Sequence, residues 1–112
     1  MSYRIEHDSI GELKVPQEAL WGVQTQRAFL NYPVSGIKPH PVFIRATVHI
    51  KKAAARFHAK AGWLDGKKAG AIVKAADEIL KQGKWMDQFV VDVYQAGAGT
   101  SHHMNCNEVL AN

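Results

Sequence analysis

Gln95-Ala96-Gly97-Ala98-Gly99-Thr100-Ser101, continuing into His102-His103-Met104-Asn105-Cys106-Asn107-Glu108, is the stretch on which the reading of this chain turns. It follows an apolar run, Phe89-Val90-Val91-Asp92-Val93-Tyr94, and leads toward a helix start. Glycines permit backbone torsions and close approaches that other residues avoid. Backbone N–H groups beside the Thr100 and Ser101 hydroxyls can hold a carboxylate or a phosphate. A helix N-terminus just beyond adds partial positive charge. The alternative is an ordinary loop running into an N-cap, and the residues alone leave both readings open. Two nucleotide motifs are excluded. No Lys follows the glycines as a P-loop requires, and the third Gly of a dinucleotide fingerprint is missing.

Downstream, Asn105 and Glu108 stand three apart, the spacing of an N-cap and its reciprocal acid. This predicts a helix beginning near Cys106. The chain reaches Asn112 about two turns later without a cap, which predicts a fragment of a longer chain. Upstream lie two amphipathic stretches. Over 41–61, Phe43, Ala46, Ile50, Ala53, Ala54, Phe57 and Ala61 recur at steps of three and four, and Gly62 is a natural stop. Over 65–82, Ala69, Ile72, Val73, Ala76, Ile79 and Leu80 share a face, and Gly83 ends the pattern. The short connection 62–66 predicts an antiparallel helix pair. Earlier still, residues 3–15 read as a short hairpin turning at Asp8-Ser9-Ile10-Gly11. Pro16-Gln17-Glu18-Ala19 suits a helix start, so a short helix is expected through Trp21 to about Tyr32, weakened by Gly22. The fold class is mainly α.

Composition limits the functions available. At 112 residues, with 46% apolar and 21% charged residues, the chain is at most one globular domain. Its net charge of +4 suits an anionic ligand. The lysines are dispersed without an aromatic-interleaved basic stripe, which argues against nucleic acid as a partner. No apolar run approaches the roughly 18 residues of a membrane span. The N-terminus lacks the apolar middle of a signal peptide, and the single Cys106 excludes an internal disulfide. A cytoplasmic location is the expectation. The six histidines invite a metal hypothesis. Adjacent His102 and His103 diverge, however, and no Cys or carboxylate completes a ligand spacing, so no metal site is expected. Asp77-Glu78 reads as the solvated side of a helix. Arg27 either faces an anion or caps a short helix. No nucleophile–base pair is visible.

Matched in order, several segments carry a resemblance over nearly the full length. They are Arg4-Ile5-Glu6-His7-Asp8 with Gly11 and Val15-Pro16, Trp21-Gly22-Val23-Gln24-Thr25-Gln26-Arg27-Ala28, and Lys51-Lys52-Ala53-Ala54-Ala55. Ala75-Ala76-Asp77-Glu78-Ile79-Leu80 and Gly97-Ala98-Gly99-Thr100-Ser101 with Met104-Asn105 and Asn107-Glu108-Val109 complete the set. The chain resembles the N-terminal region of the aspartase/fumarase superfamily. Residues 83–101 are closer to aspartate ammonia-lyase, since class II fumarases usually carry Ser at the place of Ala98. Gln24-Thr25-Gln26-Arg27 is the fumarase-like form of its block. The superfamily often has Asn where this chain has His103.

The resemblance implies an N-terminal lyase domain over 1–112: a β-hairpin, an antiparallel helix pair and the start of a long bundle helix. It implies elimination of ammonia from L-aspartate, or alternatively of water from malate, to give fumarate through an aci-carboxylate intermediate. Ala98, Gly99, Thr100 and Ser101 would contact the dicarboxylate, with Arg27, His103 and Asn105 as further contacts. The catalytic base, a Ser in a Gly-Ser-Ser-x-Met-type loop, would lie downstream, so no catalytic residue is expected here. No cofactor is expected, and the assembly would be a homotetramer. A non-catalytic helical interaction module is the reading outside enzyme chemistry.

Overall fold

A computed structural model describes residues 1–112. Strands β1 (Tyr3–His7) and β2 (Glu12–Pro16) pair antiparallel, with Tyr3 opposite Pro16 and His7 opposite Glu12. The turn forms because the Asp8 carboxylate accepts the Ile10 and Gly11 N–H groups at 2.9 and 3.1 Å.

Helix α1 spans Val23–Asn31. The helix expected from Pro16 therefore begins seven residues late, and Pro16 closes β2 instead. The cause is Arg4. Its guanidinium donates to the carbonyls of Pro16, Gln17, Ala19 and Trp21 at 2.7–3.1 Å. A helix over 17–22 would need those carbonyls for its own ladder. Gly22, expected to weaken the helix, is its N-cap.

Helices α2 (Pro41–Lys60) and α3 (Gly66–Gln82) form the expected pair. His40 caps α2 through Nδ1, which accepts the Val42 N–H at 3.1 Å, with Pro41 at the first helical position. Asp65 caps α3 by accepting the Lys68 N–H at 3.0 Å. Gly62 and Gly83 end the two helices at φ 80° and 67°. Arg45 donates to the Leu80 carbonyl at 2.8 Å and Lys52 to Asp77 at 2.6 Å, so the two axes run in opposite senses.

The face of α3 lies where its periodicity places it, with Ala69, Ala76, Ile79 and Leu80 buried. The face of α2 does not. Ile44, Val48 and Ala55 are buried, whereas Phe43, Ala46, Ile50, Ala53, Phe57 and Ala61 are exposed. This helix is apolar on two adjacent arcs. The arc that packs is the one flanked by Arg45 and Lys52, whose charges find partners on α3.

A 3-10 turn (Met86–Gln88) leads to an extended run, and a second (Gly97–Gly99) leads into α4 (Thr100–Ala111). The core joins Ile44 and Val48 to Ala76, Ile79, Leu80 and Phe89, and to Cys106, Val109 and Leu110 of α4. Each large side chain buried there contributes about 1.5–3 kcal/mol. Burial pushes the Cys106 thiol up to about 11, leaving it inert. No helix is long and apolar enough to cross a membrane.

Candidate functional site

Helix α4 starts at Thr100, not near Cys106. Ala98 and Gly99 both adopt left-handed torsions, at φ 66° and 73°, and turn the chain directly into it. Asn105 is therefore no N-cap. It sits buried in mid-helix, where its Oδ1 accepts the Val90 and Val91 N–H groups at 3.0 and 3.4 Å and its Nδ2 donates to the Gln88 carbonyl at 3.0 Å. It supplies the partners that an extended, buried backbone needs. Glu108, read as the reciprocal acid, instead reaches α1. There it accepts the Gln24 and Thr25 N–H groups at 3.1 and 2.8 Å, together with the Thr25 hydroxyl.

Two polar side chains hold the approach to the loop. Asp92 is buried and accepts from the Ser35 N–H and hydroxyl (both 2.8 Å), the Gly36 N–H (2.7 Å) and the Tyr94 N–H (2.9 Å). The Tyr94 amide and then the Ser35 and Gly36 donors outweigh desolvation and bring its carboxyl down to about 2. Gln95 accepts the His102 N–H through Oε1 at 2.7 Å and donates Nε2 to the Asp92 carbonyl at 3.4 Å. The first turn of α4 is thus tied to the run before it.

Between α1 and the start of α4 lies a cleft of about 160 Å³. Thr100 and Ser101 line one side, Gln24, Arg27 and Tyr32 the other. The fold so brings Arg27 together with the sequence-distant pair Thr100 and Ser101. Ala98 is exposed at the loop's crest and Gly99 half-buried behind it. Arg27 is committed elsewhere. Its guanidinium forks onto the Asp8 carboxylate at 2.8 and 3.0 Å and holds that carboxyl below its ordinary range. The positive pole available to an anion is thus the α4 N-terminus, with the Thr100 and Ser101 hydroxyls as donors. His103 lies away from the cleft, where its Nδ1 accepts from Lys51 Nζ at 2.6 Å.

His102 is buried and stacks on Phe43, ring centroids 4.4 Å apart. The Thr47 hydroxyl donates to the Phe43 carbonyl at 3.0 Å, so His102 Nε2–H must be the donor in its 2.9 Å contact with Thr47. Its Nδ1 is left without a partner. Burial, then His103 and Lys51, holds its pKa below the ordinary value. Gln24, Tyr32, Gln95 and Asp92 were not singled out as site residues from the sequence. Gln95, beside the glycine loop, offered the nearest signal.

The chain can now be set beside known proteins. A family model described as lyase matches residues 11–112. A fumarate hydratase class II from Halobacterium salinarum is 54% identical over 110 residues, covering 98% of this chain and 23% of that protein. An aspartate ammonia-lyase from a Bacillus species is 50% identical over 109 residues, covering 97% and 23%. The crystal structure of fumarate lyase:delta crystallin from Brucella melitensis superposes with a TM-score of 0.95 at 47% identity, covering 99% of this chain and 26% of that one. The chain thus spans about a quarter of the length of these relatives. By sequence, by fold and by the order of its matched segments, it belongs to the lyase family of the aspartase/fumarase superfamily.

Proposed function

We propose that residues 1–112 are the N-terminal domain of a fumarate-forming lyase, and that the start of α4 is one wall of its dicarboxylate site. The observation that supports this reading is the placement of Thr100 and Ser101 on the cleft, in the first turn of a helix entered through two left-handed residues. In the proposed reaction a base removes a proton beta to the leaving group. The electron pair is held as an aci-carboxylate, then forms the C=C bond as the C–N bond of an ammonium group breaks to release ammonia, or as the C–O bond breaks and the hydroxyl takes up a proton to leave as water. Extra negative charge therefore builds on a carboxylate, and preorganised N–H and O–H donors stabilise it best where water is excluded. Thr100, Ser101 and the α4 N-terminus are donors of that kind. The base itself is assigned to chain beyond Asn112, and the assembly to a homotetramer.

Both leaving groups have support. Ala98 favours ammonia. The 54% identity to a protein named fumarate hydratase favours water. Fumarate absorbance, followed separately with L-aspartate and L-malate on a protein carrying this chain with its downstream sequence, decides between them. Thr100→Ala is expected to lower kcat/KM with the preferred substrate by about 10²-fold, the scale of one lost oxyanion donor. An unchanged kcat/KM removes Thr100 from the site. Residues 1–112 alone are expected to show no turnover.

A further inference from the structure

Gln95 is the side chain that closes the glycine loop. Its Oε1 accepts the His102 N–H at 2.7 Å, and its Nε2 donates to the Asp92 carbonyl at 3.4 Å. One planar amide therefore spans the loop, from the run before it to the third residue of α4. Both bonds lie within residues 92–102 and so are internal to this segment. Between the two ends of the bridge stand the left-handed Ala98 and Gly99, then Thr100 and Ser101. A left-handed residue other than glycine persists only where its surroundings over-determine it. The amide bridge supplies that constraint, together with the Gly99 N–H, which donates to the Ala96 carbonyl at 3.2 Å. It thereby fixes where the Thr100 and Ser101 hydroxyls stand.

The charge of the acceptor matters as much as its position. A helix start favours an anionic side chain, and carboxylates serve elsewhere in this chain. Asp65 takes the Lys68 N–H of α3, and Glu108 takes the Gln24 and Thr25 N–H groups of α1. At α4 the acceptor is a neutral carboxamide, no acid stands in the first turn, and the N-cap is Gly99. The acid nearest before it in sequence, Asp92, is turned onto Ser35, Gly36 and the Tyr94 N–H. A carboxylate on the His102 amide would occupy the positive pole that a substrate carboxylate needs, and would repel its charge. The neutral amide fills the same hydrogen-bond position and leaves that pole available.

We propose that Gln95 is a positioning residue of the dicarboxylate site: its amide holds the loop so that Thr100 and Ser101 meet the substrate, and its neutrality keeps the start of α4 positive. This rests on the reading of Thr100 and Ser101 as dicarboxylate donors. The test uses a protein carrying this chain with its downstream sequence, and compares Gln95→Glu with Gln95→Met. The first keeps the acceptor and adds a charge; the second keeps the length and removes the acceptor. Gln95→Glu is expected to leave Tm no lower than the parent's, since a carboxylate caps a helix at least as well as an amide. It raises KM for the preferred of L-aspartate and L-malate, and the inhibition constant of succinate, by about tenfold or more. Gln95→Met lowers Tm, and it lowers kcat/KM by about threefold or more but less than Gln95→Glu does. The two variants thus rank oppositely in stability and in substrate affinity, which a merely structural residue does not produce. Parent-like KM in Gln95→Glu, parent-like kcat/KM in Gln95→Met, or a Gln95→Glu protein that does not fold overturns the proposal. Thr100→Ala separates the two levels. If it impairs turnover while both Gln95 variants match the parent, only the role of Gln95 falls. If it leaves kcat/KM unchanged, the reading of the site falls and the role of Gln95 with it.

Discussion

Ala98 holds a φ of 66°, where a Cβ crowds the following carbonyl, and this strain sits at the entrance to α4. Ala98→Gly is expected to raise the unfolding free energy by about 1 kcal/mol, read from urea denaturation; no gain would mean the neighbouring backbone absorbs the strain. The sequence placed the conformational freedom of this loop in its two glycines. In the structure Gly99 and the non-glycine Ala98 carry the left-handed torsions, and Gly97 does not. Local composition marks a loop as special without naming its strained residue. Asn105 was obscure for a related reason. Its spacing to Glu108 imitates a capping box, while its partners are Gln88, Val90 and Val91, set beside it only by the tertiary fold. The glycine loop was legible because it is contiguous in the chain, whereas the place of Thr100 and Ser101 in the first turn of α4 was not, since the helix was expected to begin near Cys106.

Among the elements, α1 depends most on distant residues. Gly22 gives it no side-chain cap, and Glu108 takes that role from α4 across a separation of 83–84 residues. Gly22 also leaves the room: a Cβ there would collide with the Glu108 carboxylate. Glu108→Ala is expected to cost about 2 kcal/mol, combining a lost cap with an unsatisfied Thr25 hydroxyl, with Glu108→Gln between it and the parent. Urea midpoints shifted by less than a quarter of that amount would show the cap to be unimportant. The hairpin turn, the antiparallel pair and the Gly62 and Gly83 stops were readable because each is encoded within a few residues. The buried face of α2 was not. Two apolar arcs compete there, and partners on α3 decide between them. The starts of α1 and α4 were misplaced because Arg4 and Gln95 spend side chains on backbone groups that propensity leaves out of account.

Across the whole molecule, three carboxylates tie separate parts together, and each has a lowered pKa. Asp8 joins the hairpin to α1, Asp77 joins α3 to α2, and Asp92 joins the loop after α1 to the run before α4. Lowered acids contribute stability above their ordinary value of 3.8 and lose it as pH falls through the folded values, about 2 for Asp92. His102 acts in the same direction at higher pH. Between Phe43, Thr47 and Lys51 of α2 and His103 of its own helix, it resists protonation, so stability falls below its ordinary value of 6.5. Tm is expected to fall in two stages with decreasing pH, and His102→Gln to flatten only the upper one. A single stage beginning below pH 4 would contradict the role given to His102. The bond from Glu108 to α1 also orders events in time. Residues 23–31 leave the ribosome long before residue 108, so the nascent helix waits with its first amides hydrated until α4 arrives. Synthesis from the N-terminus therefore delays the completion of α1 until α4 has emerged.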